Sequence, residues 1–296
     1  MDASILIVTR NRKNDLEKTL SILKHQINTQ EQEVLVFIDG SEDDTILLKK
    51  KFSWVNWFSS KKSIGASRAR YELYKKANGK LLFGFDDDAH PLQDNFIQIS
   101  KDLLSVNENV AIIAFQEIRG IFKTDAEALQ SNLESDTSYL CSEFVGCGFV
   151  IKKICYEKTG GFPQWIDIYG EEACVSLEII DLGYDILFSN KISVNHRVNK
   201  ELRVKFGANH FRFKKQLLNA SKYYLVYYKK PLFKVLKLYA HNFKKYAIKD
   251  YRHFWLFLGS MLKTFIFLLN LCKWRKPVSN IAILKRNNLP FPNRRK

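Results

Sequence analysis

"LLFGFDDDAHPL" (residues 81–92) sets a run apolar enough to be a buried strand directly against three carboxylates, Asp86, Asp87 and Asp88. Each negative charge raises the cost of the next, so three at one strand end call for a positive partner. An all-oxygen donor set suits Mg²⁺ or Mn²⁺, which bind through one or two carboxylates plus substrate phosphates. An acidic turn in water is the plainer reading, and the surrounding sequence has to decide between them.

Working outward, short β-branched runs alternate with helical patterns. "SILIVT" reads as a buried strand, and "NDLEKTLSILKHQ" with the following Ile27 repeats Leu16, Leu20, Leu23 and Ile27 at helical spacing. "EVLVFIDG" is a second strand closed by Gly40, and "SRARYELYKKANG" is a helix with Gly79 as its stop signal. This alternation implies a mostly parallel α/β sheet with helices on both faces, which binds ligands at the carboxyl ends of its strands. "TRNR", "DGSEDD" and "DDDAH" stand at those ends. There Asp39 can accept a hydrogen bond from a nucleobase, Arg10 and Arg12 can meet phosphate or base, and Arg68 or Arg70 can face a diphosphate from near a helix N-terminus.

At 296 residues the chain suits one large domain, alone or with an appendage. Up to Asn199 it holds 23 Lys+Arg against 29 Asp+Glu (23 − 29 = −6), and from Lys200 onward 24 against 2 (24 − 2 = +22). A mildly acidic body thus carries a strongly basic tail, which points to a polyanion or an anionic membrane surface. The five cysteines include no Cys-x-x-Cys pair, so neither a zinc site nor a disulfide framework follows. The first apolar run, "ASILIVT", is too short for a signal-peptide core, and a reducing, cytoplasmic setting is expected.

Taken in order, "ILIVTRNR", "VFIDGSEDDT", "GASRARYELYKKANGKLLFGFDDDAHP", "GCGFVIKK", "GGFPQWIDIYGEEACVSLEIIDLGY" and "NH" resemble the family 2 glycosyltransferases of GT-A fold, including those that build bacterial cell-surface polysaccharides. The resemblance implies a nucleotide-diphospho-sugar transferase fold over residues 1–200, with 201–296 as a basic helical extension. It implies an inverting, metal-dependent transfer from a nucleotide-sugar, UDP- or dTDP-linked, to a hydroxyl of a glycan or lipid-linked glycan. On this pattern Thr9 and Arg10 flank the nucleotide, Asp39 reads the base, Asp86 lies near the ribose or donor sugar, and Asp87 is a further nucleotide-sugar-binding residue. Asp88 is the metal ligand, and His196 resembles the histidine that follows the last core strand and approaches metal or diphosphate.

"GEEACVSLEIIDLGY" opens an amphipathic helix, with Ala173, Leu177, Ile180 and Tyr184 on one face and Gly183 as its stop. First-turn glutamates are stabilised by the helix dipole, which alone can explain them. Sugar transfer with inversion also needs a base to take the acceptor proton. Matching the family puts that base at Glu172, with Glu171 as helper or acceptor ligand, although the family usually has Asp where this chain has Glu172. Adjacent helical residues lie about 100° apart, so one of the pair is expected to face the site. Trp165 and Tyr169 are either stacking faces for a sugar acceptor or buried aromatics.

From about residue 205 the tail interleaves Lys and Arg with Phe, Tyr and Leu. Residues 254–272 are long enough to approach a bilayer span, yet Arg252, Ser260, Lys263, Asn270 and Lys273 form a polar stripe. Basic clusters on both flanks fit a helix lying in the interface of the inner membrane face better than one spanning it, with packing on the catalytic body as the third option. A nucleotidyltransferase that makes a nucleotide-sugar is the nearest enzymatic rival. A nucleic-acid-binding role for the tail is the other; no zinc-finger or RNA-recognition motif supports it, and no nucleic-acid partner is expected.

Overall fold

The computed structural model describes residues 1–131, 136–198 and 208–292; the expected boundary at 200/201 and the start of the tail near 205 lie outside them. The described strands are β1 (Ala3–Thr9), β2 (Gln32–Asp39), β3 (Asn56–Ser60), β4 (Leu81–Asp86), β5 (Ala89–Pro91), β6 (Val110–Arg119), β7 (Ser138–Leu140), β8 (Gly148–Lys152) and β9 (Asp185–His196). They form one sheet in the order β3-β2-β1-β4-β8-β6-β9-β5, with β7 also on β9. The first four in that order run parallel. Strand β8 then enters antiparallel to both β4 and β6, and β9 is parallel to β6 but antiparallel to β5 and β7. The sheet is therefore mixed rather than mostly parallel. The parallel part is where successive strands are joined by helical crossovers, which the sequence displays as alternating patterns.

The helices are α1 (Lys13–Gln26), α2 (Leu48–Lys51), α3 (Ala66–Tyr74), α4 (Phe96–Val106), α5 (Asp125–Gln130), α6 (Lys153–Tyr156), α7 (Glu171–Asp181), α8 (Ala208–Tyr227), α9 (Pro231–Asn242), α10 (Tyr251–Leu268), α11 (Leu271–Trp274) and α12 (Asn280–Asn288). Alternation along β1 explains the layering, because side chains of period two leave the sheet on opposite faces. Ile5 and Ile7 pack with Leu16, Leu20 and Leu23 of α1 on one face. Leu6 packs with Ala69 and Leu73 of α3 on the other. Helix α3 stops at Tyr74, short of Gly79. Gly79 serves a different end: a Cβ there would come within 2.3 Å of the Ala3 carbonyl carbon and the Ser4 nitrogen, so only glycine lets this turn lie against β1.

In register, Thr9 pairs with Ile38 and Val8 with Asp86, so the ends of β1, β2 and β4 emerge along one edge. Helices α8 and α12 add Val226, Tyr227 and Ala282 to the core on the α3 face. Helices α9 and α10 close a smaller core around Phe213, Leu217, Tyr239 and Phe257. Asp250 caps α10 and accepts hydrogen bonds from His210 of α8 (3.0 Å) and from His253 (2.5 Å).

Helix α10 buries Phe257 in this smaller core but leaves much of its apolar surface outside. Ser260 and Thr264 are buried, while Tyr251, Trp255, Leu262, Phe265 and Ile266 are exposed. Ser260, expected on the same solvated stripe as Lys263, instead points inward and bonds the Leu256 carbonyl at 2.8 Å. No described helix is long and apolar enough to cross a membrane.

Gly84, within the strand that delivers the aspartates, lets Phe149 and Tyr74 close over β4; a Cβ would meet the Phe149 ring at 2.3 Å and the Tyr74 hydroxyl at 2.5 Å. Gly84→Ala should therefore lower stability by about 1–3 kcal/mol in denaturant titration. Gly259→Ala in α10, where nothing lies within 4 Å, should instead stabilise by roughly 0.5–1 kcal/mol. Equal effects at the two positions would show that β4 is not closely packed.

Candidate active site

The strand edge opens into a cavity of about 570 Å³ lined by Thr9, Arg10, Arg12, Asp39, Arg70, the three aspartates, Tyr169, Glu171, Glu172 and His196, among others. Asp86 ends β4, and Asp87 and Asp88 form the turn into β5. Their repulsion is relieved by protein cations, one beside each carboxylate. Arg70 donates to Asp86 (2.7 Å). Arg12 bridges Asp87 (3.2 Å) and Asp88 (2.5 Å). His196 Nε2 lies 3.2 Å from Asp88. The turn's backbone is pinned from below, since Arg197 N–H donates to the Asp88 carbonyl at 2.9 Å and the Thr19 hydroxyl to that of Asp87 at 2.8 Å.

The electrostatics follow from burial and these partners. Burial raises the Asp87 carboxyl to about 7, with Arg12 opposing and Asp88 adding to the rise. Asp88 is also buried, yet hydrogen bonds from His196 and Arg12 hold it well below the usual carboxylate range. His196 is pushed far above its ordinary value: burial opposes this, but contact with Cys147 and hydrogen bonds to Asp88 and Glu117 favour the imidazolium. Glu117, whose Oε1 contacts His196 Nδ1 and lies 2.9 Å from Arg119 Nε, is held at about 2 despite burial.

A metal fits this arrangement. Asp86, Asp88 and His196 each offer a donor atom, and the three atoms lie within 4.8 Å of one another. Two carboxylate oxygens and one imidazole suit Mn²⁺ or Mg²⁺ completed by substrate oxygens. Glu117 holds the second imidazole nitrogen, as an outer-shell carboxylate does for a ligating histidine.

The other acidic pair opens α7. Tyr169 and Gly170 both have positive φ (71° and 98°), a left-handed pair that turns the chain into the helix. Asn219 of α8 fixes that turn by donating to the carbonyls of Ile168 (2.7 Å) and Tyr169 (3.0 Å). Both glutamates, not one, reach the cleft wall: Arg70 Nη1 lies 3.0 Å from Glu171 and 3.4 Å from Glu172. They differ in exposure, the Glu171 side chain being 4% accessible and that of Glu172 21%. Burial, then the charge of Glu172, raises Glu171 to about 8, with Arg70 pulling the other way. Gly146 faces the pair, and a Cβ there would lie 2.3 Å from Glu172 Oε1.

Behind this wall a second cavity of about 520 Å³ shares Asp86, Tyr169, Glu171, Glu172 and His196 with the first and is closed by Gln216, Tyr223 and Tyr224 of α8, by Arg286 and by Phe291. Most of the residues named from sequence thus converge. Arg68 and Trp165 do not: Arg68 donates to the Gln164 carbonyl at 2.5 Å outside the cleft, and Trp165 is buried against Tyr227 and Phe267. Asp39 lines the cavity, but its oxygens accept from Ser60, Ser63, Ile64 N–H and Gly65 N–H. A base would have to replace one serine hydroxyl. Sequence reasoning passed over Glu117, Arg197 and the α8 and α12 contributions; the buried "QE" inside the apolar strand β6 was the one visible signal.

A sheet whose parallel half ends in a metal-competent acidic turn, with a second carboxylate pair opposite, is the layout of a GT-A glycosyltransferase. Residues 4–148 match the family model described as glycosyl transferase family 2. No curated protein sequence matches the chain. Solved structures of similar fold include residues 1–349 of Staphylococcus aureus TarS (14% identity, TM-score 0.54, 67% of this chain and 60% of that one). GalNAc-T7 with UDP, GalNAc and Mn²⁺ is similar at 18% identity and TM-score 0.55, over 67% of this chain and 44% of that one. The mannosyltransferase PcManGT from Pyrobaculum calidifontis with GDP-Man and Mn²⁺ is similar at 14% identity and TM-score 0.58, over 90% and 78%. The chain therefore spans less than two thirds of the first two.

Glu171 supplies a pH test. Its ordinary value is 4.5 and its folded value about 8, so folding favours the protonated form and stability is lost as pH rises through that window. Thermal midpoints of the wild type should fall between pH 5 and 8 relative to those of Glu171→Gln, and parallel curves would refute the raised pKa.

Proposed function

We propose that the protein is an inverting glycosyltransferase that moves a sugar from a nucleoside-diphosphate sugar, UDP- or dTDP-linked, to a hydroxyl of a glycan or lipid-linked glycan. The observation that carries this reading is that two cavities meet at one wall built of Asp86, Glu171, Glu172 and His196. A donor in the first and an acceptor in the second would face each other across that wall.

In this reading the nucleotide lies between Thr9, Arg10 and Asp39, with Asp86 and Asp87 toward its ribose and sugar. Asp88, Asp86 and His196 would hold Mn²⁺ or Mg²⁺. The ion, when bound, stabilises the charge of the nucleoside diphosphate leaving group. Arg12 and Arg212, both lining the donor cavity, add positive charge to the same end. Glu172 takes the acceptor hydroxyl's proton as that oxygen bonds to the anomeric carbon and the carbon–diphosphate bond breaks. Glu171, raised to about 8, keeps its proton at neutral pH and is unsuited to that task; with Arg70 it positions Glu172. The acceptor's rings stack on Tyr169, Tyr223 or Tyr224.

The chain is proposed to work as a catalytic body of residues 1–200 and a basic extension of 201–296 that holds it on the inner face of the cell membrane. Support comes from the outward apolar face of α10 and from exposed Leu232, Phe233 and Leu236 on α9, set among lysines and arginines as in interfacial helices.

Purified protein given UDP- or dTDP-sugars with Mn²⁺ should release nucleoside diphosphate, and Glu172→Gln should bind donor while losing transfer roughly 100-fold or more. Pyrophosphate release from nucleoside triphosphate and sugar phosphate would instead make it a nucleotidyltransferase. An inactive Glu171→Gln beside an active Glu172→Gln would exchange the two glutamates. Separately, the protein should co-sediment with phosphatidylglycerol vesicles, with salt and the substitution Phe265→Glu each releasing it. Unchanged pelleting of Phe265→Glu would rule out α10 as the membrane contact.

A further inference from the structure

Beside the donor cavity lies a third one of about 590 Å³ that the mechanism does not use. Arg68, Lys215, Lys222 and Lys263, from α3, α8 and α10, line it, and the sole carboxylate among its lining residues is Asp167. Lys215 is paired with Asp167, and Lys222 and Arg68 donate to the carbonyls of Trp165 (2.8 Å) and Gln164 (2.5 Å). Those carbonyls orient the cations without neutralising them. Four positive charges against one negative therefore converge on one recess. Burial, and with it the like charges of Lys215, Arg68 and Lys263, pushes the Lys222 ammonium below its ordinary value, while Asp167 pulls the other way. Like charges held this close favour an anion between them.

Two further features say what kind of anion. The recess shares Ser63, Gly65 and Asp167 with the donor cavity, so whatever it holds sits next to the place of reaction. Its lining also includes Ile266 and Phe267 of α10, the Phe267 ring lying 5.0 Å under the Lys222 ammonium, and from Ile266 the exposed apolar face continues through Leu262, Phe265 and Leu269. A ligand matching both halves is anionic at one end and long and apolar at the other.

We infer that this recess binds the phosphate or diphosphate of the acceptor lipid, with the lipid chain running along the outer face of α10. The inference rests on the proposed lipid-linked acceptor and deepens it. A free nucleoside diphosphate lacks the apolar half, and bulk phospholipid has no need of a recess beside the donor. The shared wall instead suits a headgroup whose attached sugar must reach the Glu172 side of the cleft. Guanidinium and ammonium groups together suit such a group, because arginine offers a planar fork and lysine a mobile point charge to phosphate oxygens.

The test uses full-length protein without donor or metal, so that its result is independent of transfer. The probe is a long-chain isoprenyl diphosphate carried at a few per cent in phosphatidylcholine vesicles, compared with phosphatidylglycerol vesicles and with inorganic pyrophosphate. Wild type should bind the isoprenyl diphosphate vesicles, and Lys222→Gln and Lys263→Gln should each weaken that binding about fivefold or more. Both variants should keep UDP affinity, which shows that the donor cavity and the fold survive. Equal weakening on phosphatidylglycerol would reduce the cluster to general membrane charge. Unchanged binding in both variants, or pyrophosphate binding as strong as that of the lipid, would overturn the assignment. If the lipid binds as expected but no sugar is transferred from any donor, the transfer reading fails and the site stands.

Discussion

Arg70 is the interaction on which the site depends. Its guanidinium, with the side chain 11% accessible, meets Asp86 from β4 and both glutamates from α7, and lies over the Phe162 ring at 5.6 Å to the centroid. One planar cation thus ties a strand end, a helix start and α3 itself into a fixed spacing. Removing one partner of a buried ionic network leaves the others uncompensated, which typically costs about 3–5 kcal/mol. Here the stranded groups would be the acidic side chains of Asp86, Glu171 and Glu172, which face one another across the cleft. Burial drives the Arg70 guanidinium toward losing its proton, but Asp86, Glu171 and Glu172 outweigh that and keep it firmly charged.

The same logic extends to the acidic turn. Charges alternate around it: Arg70 beside Asp86, Arg12 between Asp87 and Asp88, and His196 between Asp88 and Glu117. Such an arrangement stores negative charge at a strand end without a metal, and leaves an oxygen of Asp86, one of Asp88 and the His196 Nε2 close together. A cation entering there competes with hydrogen bonds and need not assemble the ligands from scratch. Preorganisation of this kind lowers the cost of binding.

How far the sequence revealed this depends on whether a signal is local. The parallel strands and their polar ends were legible because β1, β2 and β4 are continuous apolar runs that stop abruptly at Thr9, Asp39 and Asp86. Glu171 and Glu172 were legible as a helix start after a glycine. The antiparallel half was not, because β8 and β6 pair across a separation that no periodicity records. Nor could pattern show that Trp165 packs on Tyr227 and Phe267, or that Arg68 turns from the cleft to the Gln164 carbonyl. Those orientations are set by α8 and α10, which lie far along the chain. The inward Ser260 misled for a related reason: its hydroxyl is satisfied by its own helix at the Leu256 carbonyl, so it needs no water and its polarity does not mark a solvated face.

That satisfaction of polar groups within α10 joins surface to site. Thr264 is likewise bonded, to the Tyr239 hydroxyl at 2.7 Å, so the helix can turn these two hydroxyls inward and expose Trp255, Leu262 and Phe265. Exposed apolar area costs about 25 cal/mol per Å² in water, a cost that contact with lipid removes. The neighbouring α8 meanwhile holds the segment leading into α7 at three points: Lys215 to Asp167, Asn219 to Ile168 and Tyr169, and Lys222 to Trp165. Tyr169 and Gly170 need those ties, because a left-handed turn without external bonds would relax and carry Glu171 and Glu172 with it. The basic extension is thus part of the wall that positions the carboxylates, since the helix that packs on α10 also holds the segment leading into Glu171 and Glu172.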